Sequence, residues 1–445
     1  MAGPAAAPGL MRRLAVAPRL AAWRHGRRVA LPVAAFIASL VWPASLAIVL
    51  FGLFLPLYRI ALLVLLPLSV ARLARLGARL SAPDLFIAGF AVLQAVSLLI
   101  HHGLFAVVSS VDSLGVRSQT NVLLNCGTVM LETLGPYLLA RAFIRTPADV
   151  SAAARLLILI VGVLAIVALV ESVSGRQLFG GPSYLGTLSR FGFHRAAGPF
   201  PHPILWGVFA ASIFALALSR DVVSSRLPVR VGAALVVLAG VATSISSSAF
   251  AVVAVQVLLL VWFISTRPLR HRLAIFIAGC VGIYVFIDVF SNRTPVQVLF
   301  DYAALNPSTG FYRTIIWQVG WNDFLGSPIT GIGYDNWARP VWLGPTVDAF
   351  WLVMLLRYGL LAVAPFILGV ATSLLRAVRD LPSPAQAKHL HLAYFWLASV
   401  ISLIIAGFTV HFWLQSYVEF FFLLGMWGAF AAPQTVRRMA QPVRR

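Results

Sequence analysis

Along the whole chain, apolar stretches of about 20 residues alternate with short polar segments, most of which carry arginines. A helix of that length rises through the roughly 30 Å hydrocarbon layer of a bilayer. Residues 29–71 are apolar apart from Arg59, too long for one crossing and suited to two joined by a tight turn near Phe54 to Arg59. Further spans are predicted at 84–107, 121–140, 155–172, 203–219, 229–244, 247–266, 273–290, 358–375, 390–410 and 416–432. The pattern therefore predicts an all-α integral membrane protein with about twelve transmembrane helices. One polytopic domain fills residues 29–432, with a basic cytoplasmic segment at 1–28 and a basic cytoplasmic tail at 433–445.

Arginines fix the orientation. Arg12, Arg13, Arg24, Arg27 and Arg28, then Arg72, Arg75 and Arg79, then Arg141, Arg145 and Arg155 all fall on one side of this topology. Arg220, Arg226 and Arg230, then Arg267, Arg270 and Arg272, then Arg376, Arg379 and Lys388, and finally the tail, join them. Short loops rich in Lys and Arg stay cytoplasmic, so both termini are predicted inside. The opposite face carries two long polar stretches, 173–202 and 291–348. Connections of that length are functional or disordered, and the aromatic and glycine content of the second argues for order. Tyr312, Ile316 and Val319 recur at helical spacing and predict a short interfacial helix over Thr309 to Phe324.

Composition sharpens this picture. Of the 445 residues, 60% are hydrophobic and only 11% charged, and the mean hydropathy is +0.91, which leaves no sizeable soluble domain. The net charge of +21 raises the question of nucleic acid. The arginines form clusters between apolar runs and no basic face or RNA-binding motif, so nucleic acid is excluded as a partner. Cys126 and Cys280 lie inside apolar runs and offer neither a disulfide framework nor a metal-ligand pair. The opening arginines followed by an apolar stretch resemble a signal peptide, but the apolar run continues far past a short hydrophobic region, so the first span is expected to be uncleaved.

The first long stretch contains Arg190, His194, Arg195, Gly198, Phe200, His202 and Pro203. Guanidinium groups near a membrane surface pair bidentately with phosphate oxygens, although headgroup contacts give the same composition. The second contains Arg313 and Trp317, then Pro328-Ile-Thr-Gly331-Ile-Gly333-Tyr334-Asp335-Asn336, then Asp348 and Arg357-Tyr358-Gly359-Leu360. Glu132 stands near the middle of a span, a functional position unless a partner in the bundle pairs it.

In three places these residues resemble the O-antigen ligase and O-antigen polymerase family of bacterial polysaccharide enzymes. Arg195-x-x-Gly198-x-Phe200-x-His202-Pro203 resembles the family's arginine-glycine-proline segment, and Arg313 with Trp317 followed by Pro328 to Gly333 resembles its second signature. Asp348 to Leu360 resembles its closing segment, except that relatives carry histidine where Asp348 stands. No arginine follows the turn Ser244-Ile-Ser-Ser-Ser248, where relatives often have one.

The resemblance implies a glycosyltransferase-C-like fold with its active site at the extracytoplasmic surface of the bacterial inner membrane. The donor it implies is a polyprenyl-diphosphate-linked oligosaccharide and the acceptor a glycan, with polymerisation favoured over ligation. Other polysaccharide assembly proteins are implied partners, and no cofactor is. With no acidic cluster to hold a divalent metal, Arg195 and Arg313, then Arg190, are the expected cations for the departing diphosphate. Asp348 is the candidate base, with a helix N-cap as the equal alternative. His202 either binds acceptor or starts a helix, and Asp335 either orients an arginine or makes a turn with Asn336. His194, Tyr334 and Arg357 complete the substrate-binding set. The rival class, a lipid-linked oligosaccharide flippase or other transporter, requires paired ionisable residues near the midplane.

Overall fold

The computed structural model describes residues 28–50, 52–111, 117–179, 189–266, 268–269, 272–294, 297–298, 307–379 and 391–430. The basic tail, the basic segment before Arg28, and parts of both long polar stretches lie outside the described residues.

The chain is an all-α membrane protein. Helices α1 (Leu31–Leu40), α2 (Leu57–Arg75), α3 (Ala82–His102), α4 (Val122–Phe143) and α5 (Pro147–Ser174) form the first half. Then follow α6 (Pro203–Ser212), α7 (Phe214–Ala217), α8 (Leu227–Thr243), α9 (Ser247–Ser265), α10 (Arg272–Phe290), α11 (Pro307–Gly326), α12 (Phe350–Arg379), α13 (His391–Ala406) and α14 (Gln415–Gly425). Among the described residues, sheet is confined to three antiparallel hairpins: β1 (Ile48–Leu50) with β2 (Leu53–Leu55), β3 (Val107–Val111) with β4 (Arg117–Asn121), and β5 (Ser189–Arg190) with β6 (Phe193–His194). Leu159, Val163 and Ile166 on α5, and Ile283 and Phe286 on α10, stand exposed on the lateral surface, where lipid takes the place of a partner.

Among the described residues, six helices are long and apolar enough to cross a bilayer: α2, α3, α4, α5, α9 and α12. The apolar helices α1, α6, α8, α13 and the Ala278–Phe290 part of α10 are shorter. The expectation of about twelve crossings is thus met only in part. At residues 29–71 the predicted pair of spans becomes the 10-residue α1, a hairpin turning at Gly52, and α2. A 10-residue helix is about 15 Å long and does not cross a bilayer alone.

Two buried carboxylates in the first half of the bundle are paired with arginines. Glu132 on α4 accepts from Tyr58 Oη at 2.5 Å and from Arg59 Nε at 2.8 Å, which supplies the partner its position demanded. Asp84, in a capping box with Ser81 at the start of α3, also accepts from Arg141 Nε at 2.8 Å and from Tyr137 Oη at 2.9 Å. That ties the start of α3 to the end of α4, while Arg72 Nε on Ala142 O at 3.0 Å ties in the end of α2. The arginine-bearing helix ends therefore share one face of the bundle. The hairpin β5–β6, the end of α5 and the start of α9 share the other.

Helix α12 holds a break that organises this second face. Gly359 has φ +63°, and the backbone around it leaves the helical ladder. Segment 328–333 fills the gap: Ile332 N donates to Leu356 O at 2.7 Å and Gly333 N to Arg357 O at 3.0 Å. In return Leu360 N donates to Pro328 O at 2.8 Å and Leu361 N to Ile329 O at 3.0 Å. Two of the sequence segments singled out above are thus one hydrogen-bonded unit. Gly331 sits at φ +71°, where a Cβ would come 2.5 Å from Leu356 O.

Candidate anion site at a serine turn

The turn between α8 and α9, Ser244 to Ser248, is where the arginines meet. Arg195 follows β6, and Ala196 N donates to Thr243 O at 2.9 Å, which docks this strand end on the end of α8. Arg195 Nε then donates to Ser244 O at 2.9 Å. Arg190, on β5, donates through Nη1 to Ile245 O at 3.2 Å. Arg313 approaches from α11 and donates through Nη2 to Ser248 Oγ at 3.3 Å. One turn further along α11, Trp317 donates to Phe408 O at 2.9 Å and stacks on the Phe408 ring, which fixes the face that Arg313 presents.

Three cations thus converge beside the N-terminal end of α9, itself a region of positive potential. Arg195 and Arg313 are each only 8% exposed. Arg195 Nη2 and Arg313 Nε are buried without a hydrogen-bond partner, a costly arrangement that a bound anion would offset. Burial, with Arg190 nearby, pulls Arg195 down to about 10, so it remains charged at neutral pH. Burial lowers Arg313 too, with Asp348 opposing and Arg190 adding to the shift. Ile245 adopts φ +43°, costly for a β-branched residue, and this strained backbone is what offers its carbonyl to Arg190.

Asp348 stands close enough to Arg313 to interact electrostatically, and burial raises its carboxyl above the usual range against that attraction. The N-cap alternative has little left to do. Phe350 N donates to Val410 O at 3.0 Å and Trp351 N to Gly407 O at 3.3 Å, so the loop after α13 supplies acceptors at the start of α12.

The other candidates divide. His202 is the N-cap of α6, its Nδ1 accepting from Ile204 N at 3.1 Å, and burial with Arg195 nearby pushes it down to about 4. His194 is exposed, and its carbonyl accepts from Ser172 Oγ at 2.7 Å. Tyr334, Asp335 and Arg357 form a separate group around the break in α12. Tyr334 N donates to His102 Nε2 at 2.9 Å, and the Arg357 guanidinium lies 5.1 Å over the Tyr334 ring. Asp335 is exposed in a turn, 4.0 Å from His102 Nδ1 and not on an arginine.

Sequence reasoning passed over two contributors. Glu171, buried near the end of α5, accepts from Ala197 N at 3.1 Å and Gly198 N at 2.8 Å through one oxygen, and from Leu178 N at 2.9 Å through the other. It clamps the loop directly after Arg195. His411 follows α13, and burial beside Arg357 pushes it down to about 3 and keeps it neutral. The Val410 carbonyl just before it accepts from Phe350 N at the start of α12, a contact that the sequence does not show. Among the described residues no group of three His, Cys, Asp or Glu side chains is placed to hold a metal ion. Comparison with protein-family models and with curated proteins finds no match for this chain.

Proposed function

We propose that the chain is a bacterial inner-membrane glycosyltransferase of the O-antigen polymerase and ligase kind, with about twelve membrane passes, a glycosyltransferase-C-like fold and both termini in the cytoplasm. Its donor is a polyprenyl-diphosphate-linked oligosaccharide and its acceptor another glycan, and repeated transfer builds a surface polysaccharide. The observation that carries this reading is the meeting of Arg190, Arg195 and Arg313 on one serine turn, with buried unpaired N–H groups on two of them.

In the reaction, an acceptor hydroxyl attacks the anomeric carbon of the donor as the bond from that carbon to the diphosphate oxygen breaks. The hydroxyl proton passes to Asp348, and the negative charge that develops on the leaving diphosphate falls on the arginines. Burial favours Asp348 as a proton acceptor, because a raised carboxyl holds a proton better than an exposed one. The transporter reading keeps one feature, the buried Arg59–Glu132 pair, but the converging arginines with unmet N–H groups lie at the serine turn and not around that pair.

The test replaces Arg195 and Arg313 singly by Lys in a complemented deletion strain and reads surface glycan and lipid-linked intermediates. Lys keeps the charge and loses the fork, so both variants are expected to lose polymer and accumulate lipid-linked repeats. Wild-type glycan from both, at equal protein level, would overturn the assignment.

A further inference from the structure

A second cationic site lies at the opposite end of the bundle. A cavity of about 350 Å³ opens between the start of α1, the ends of α2 and α4, and the start of α5. Its lining brings together Arg28, Arg72 and Arg145, with Asp149 as the one carboxylate, and Val33 and Phe143 form part of its apolar wall. Arg72 is held in place, because its Nε donates to Ala142 O at 3.0 Å and its guanidinium lies 4.5 Å over the Phe143 ring. That anchoring uses the inner nitrogen of a side chain that lines the cavity.

Asp149 is committed elsewhere. Its Oδ2 accepts from Arg145 N at 3.2 Å, Thr146 N at 2.9 Å and Thr146 Oγ1 at 2.7 Å, closing the capping box of α5. Three guanidinium groups therefore face one carboxylate that caps a helix, and the cavity has a surplus of positive charge. A cationic rim over an apolar wall, at a helix-end surface, is the chemistry of a phosphate ester carried on a lipid. A free anion would need only the rim. Such a volume lies within the range of small-ligand sites.

We propose that this cavity binds the headgroup phosphate of an anionic phospholipid on the arginine-bearing face. It lies among helix ends remote from the serine turn and does not depend on what that turn does.

The experiment uses the full chain, delipidated in detergent, with native mass spectrometry to count bound lipid during titration with phosphatidylglycerol, phosphatidylcholine or inorganic phosphate. One tight phosphatidylglycerol site is expected, with phosphatidylcholine about tenfold or more weaker. The double variant Arg28→Gln, Arg145→Gln alters two exposed side chains and is expected to weaken that site by about tenfold or more. Arg72→Gln is expected to do the same, and the double variant keeps the test valid if loss of the Ala142 contact unfolds it. Arg195→Gln is expected to leave the site intact. Unchanged phosphatidylglycerol binding in the double variant would overturn the proposal, as would no lipid selectivity in the wild type. Competition by inorganic phosphate at the lipid's own concentration would assign the cavity to a soluble anion and overturn it equally.

Discussion

Replacing Arg195 or Arg313 by methionine separates a binding site from a structural contact. Each arginine makes one hydrogen bond to the serine turn and keeps one buried nitrogen without a partner. Loss of a charge-assisted bond costs about 1.5–3 kcal/mol, while removal of an unmet buried donor returns about 1–3 kcal/mol. Methionine also fills much of the apolar stem's volume. The two effects nearly cancel at Arg195, so Arg195→Met is expected to melt within about 1 kcal/mol of the wild type in ligand-free detergent solution, while Arg313→Met also leaves Asp348 without its cation and is expected to melt lower. A structural ion cluster would behave otherwise, since breaking a buried charge pair costs about 3–5 kcal/mol. Inorganic diphosphate supplies the missing partner. At about a hundredfold excess over its dissociation constant it is expected to stabilise the wild type by about 2.7 kcal/mol and to stabilise neither variant appreciably. Thermal unfolding with and without diphosphate reads both quantities. A ligand-free loss of more than about 3 kcal/mol in Arg195→Met, or no diphosphate response in the wild type, would refute the reasoning.

Asp348→Asn is expected to fold, because Val410 O and Gly407 O already serve the start of α12, and to abolish polymer in the deletion strain. Wild-type activity should fall as pH drops through the raised carboxyl value, and wild-type chain length from the Asn variant would exclude the base role. His202 binds its proton near 4 when folded and near 6.5 when unfolded, so stability should fall as pH drops from about 6.5 to about 4. His202→Asn retains an N-cap oxygen, and its melting temperature is expected to vary less with pH across that window. Gly359→Ala places a Cβ against Ile329 O at a positive φ and is expected to lower expression and melting temperature sharply, by about 2 kcal/mol or more. Glu171→Gln turns one acceptor into a donor among three backbone N–H groups and is expected to cost about 1.5–3 kcal/mol and to lower activity through Arg195, read by melting and by glycan yield.

Helices and their membrane setting were legible because apolar runs of the right length carry the signal locally. The predicted Thr309 to Phe324 helix appears as Pro307–Gly326, and the predicted 247–266 span as Ser247–Ser265. The β1–β2 hairpin was not legible, since Ile48 to Leu55 is apolar on both faces apart from Gly52 and shows no alternation to separate strand from span. The span predicted at 358–375 is the later part of α12, whose start at Phe350 follows Asp348 as the helix-start reading of that residue expected, while the break at Gly359 shows only through its hydrogen-bonded partner segment 328–333. Arg190, Arg195 and Arg313 were each visible as candidates, but their common meeting point was not. The serine turn carries no charge, and in sequence it reads as the place where an arginine is lacking. Three arginines arrive there from 65 residues or fewer away, a convergence that only packing creates.

The most direct measurement is turnover by the purified chain, reconstituted in vesicles with a polyprenyl-diphosphate-linked oligosaccharide and no other protein. The account predicts a ladder of longer glycans with release of polyprenyl diphosphate in step, and loss of both in Arg195→Lys and Arg313→Lys at equal protein. Passage of the intact lipid-linked oligosaccharide across the bilayer with no glycosidic bond formed and no diphosphate released would contradict it.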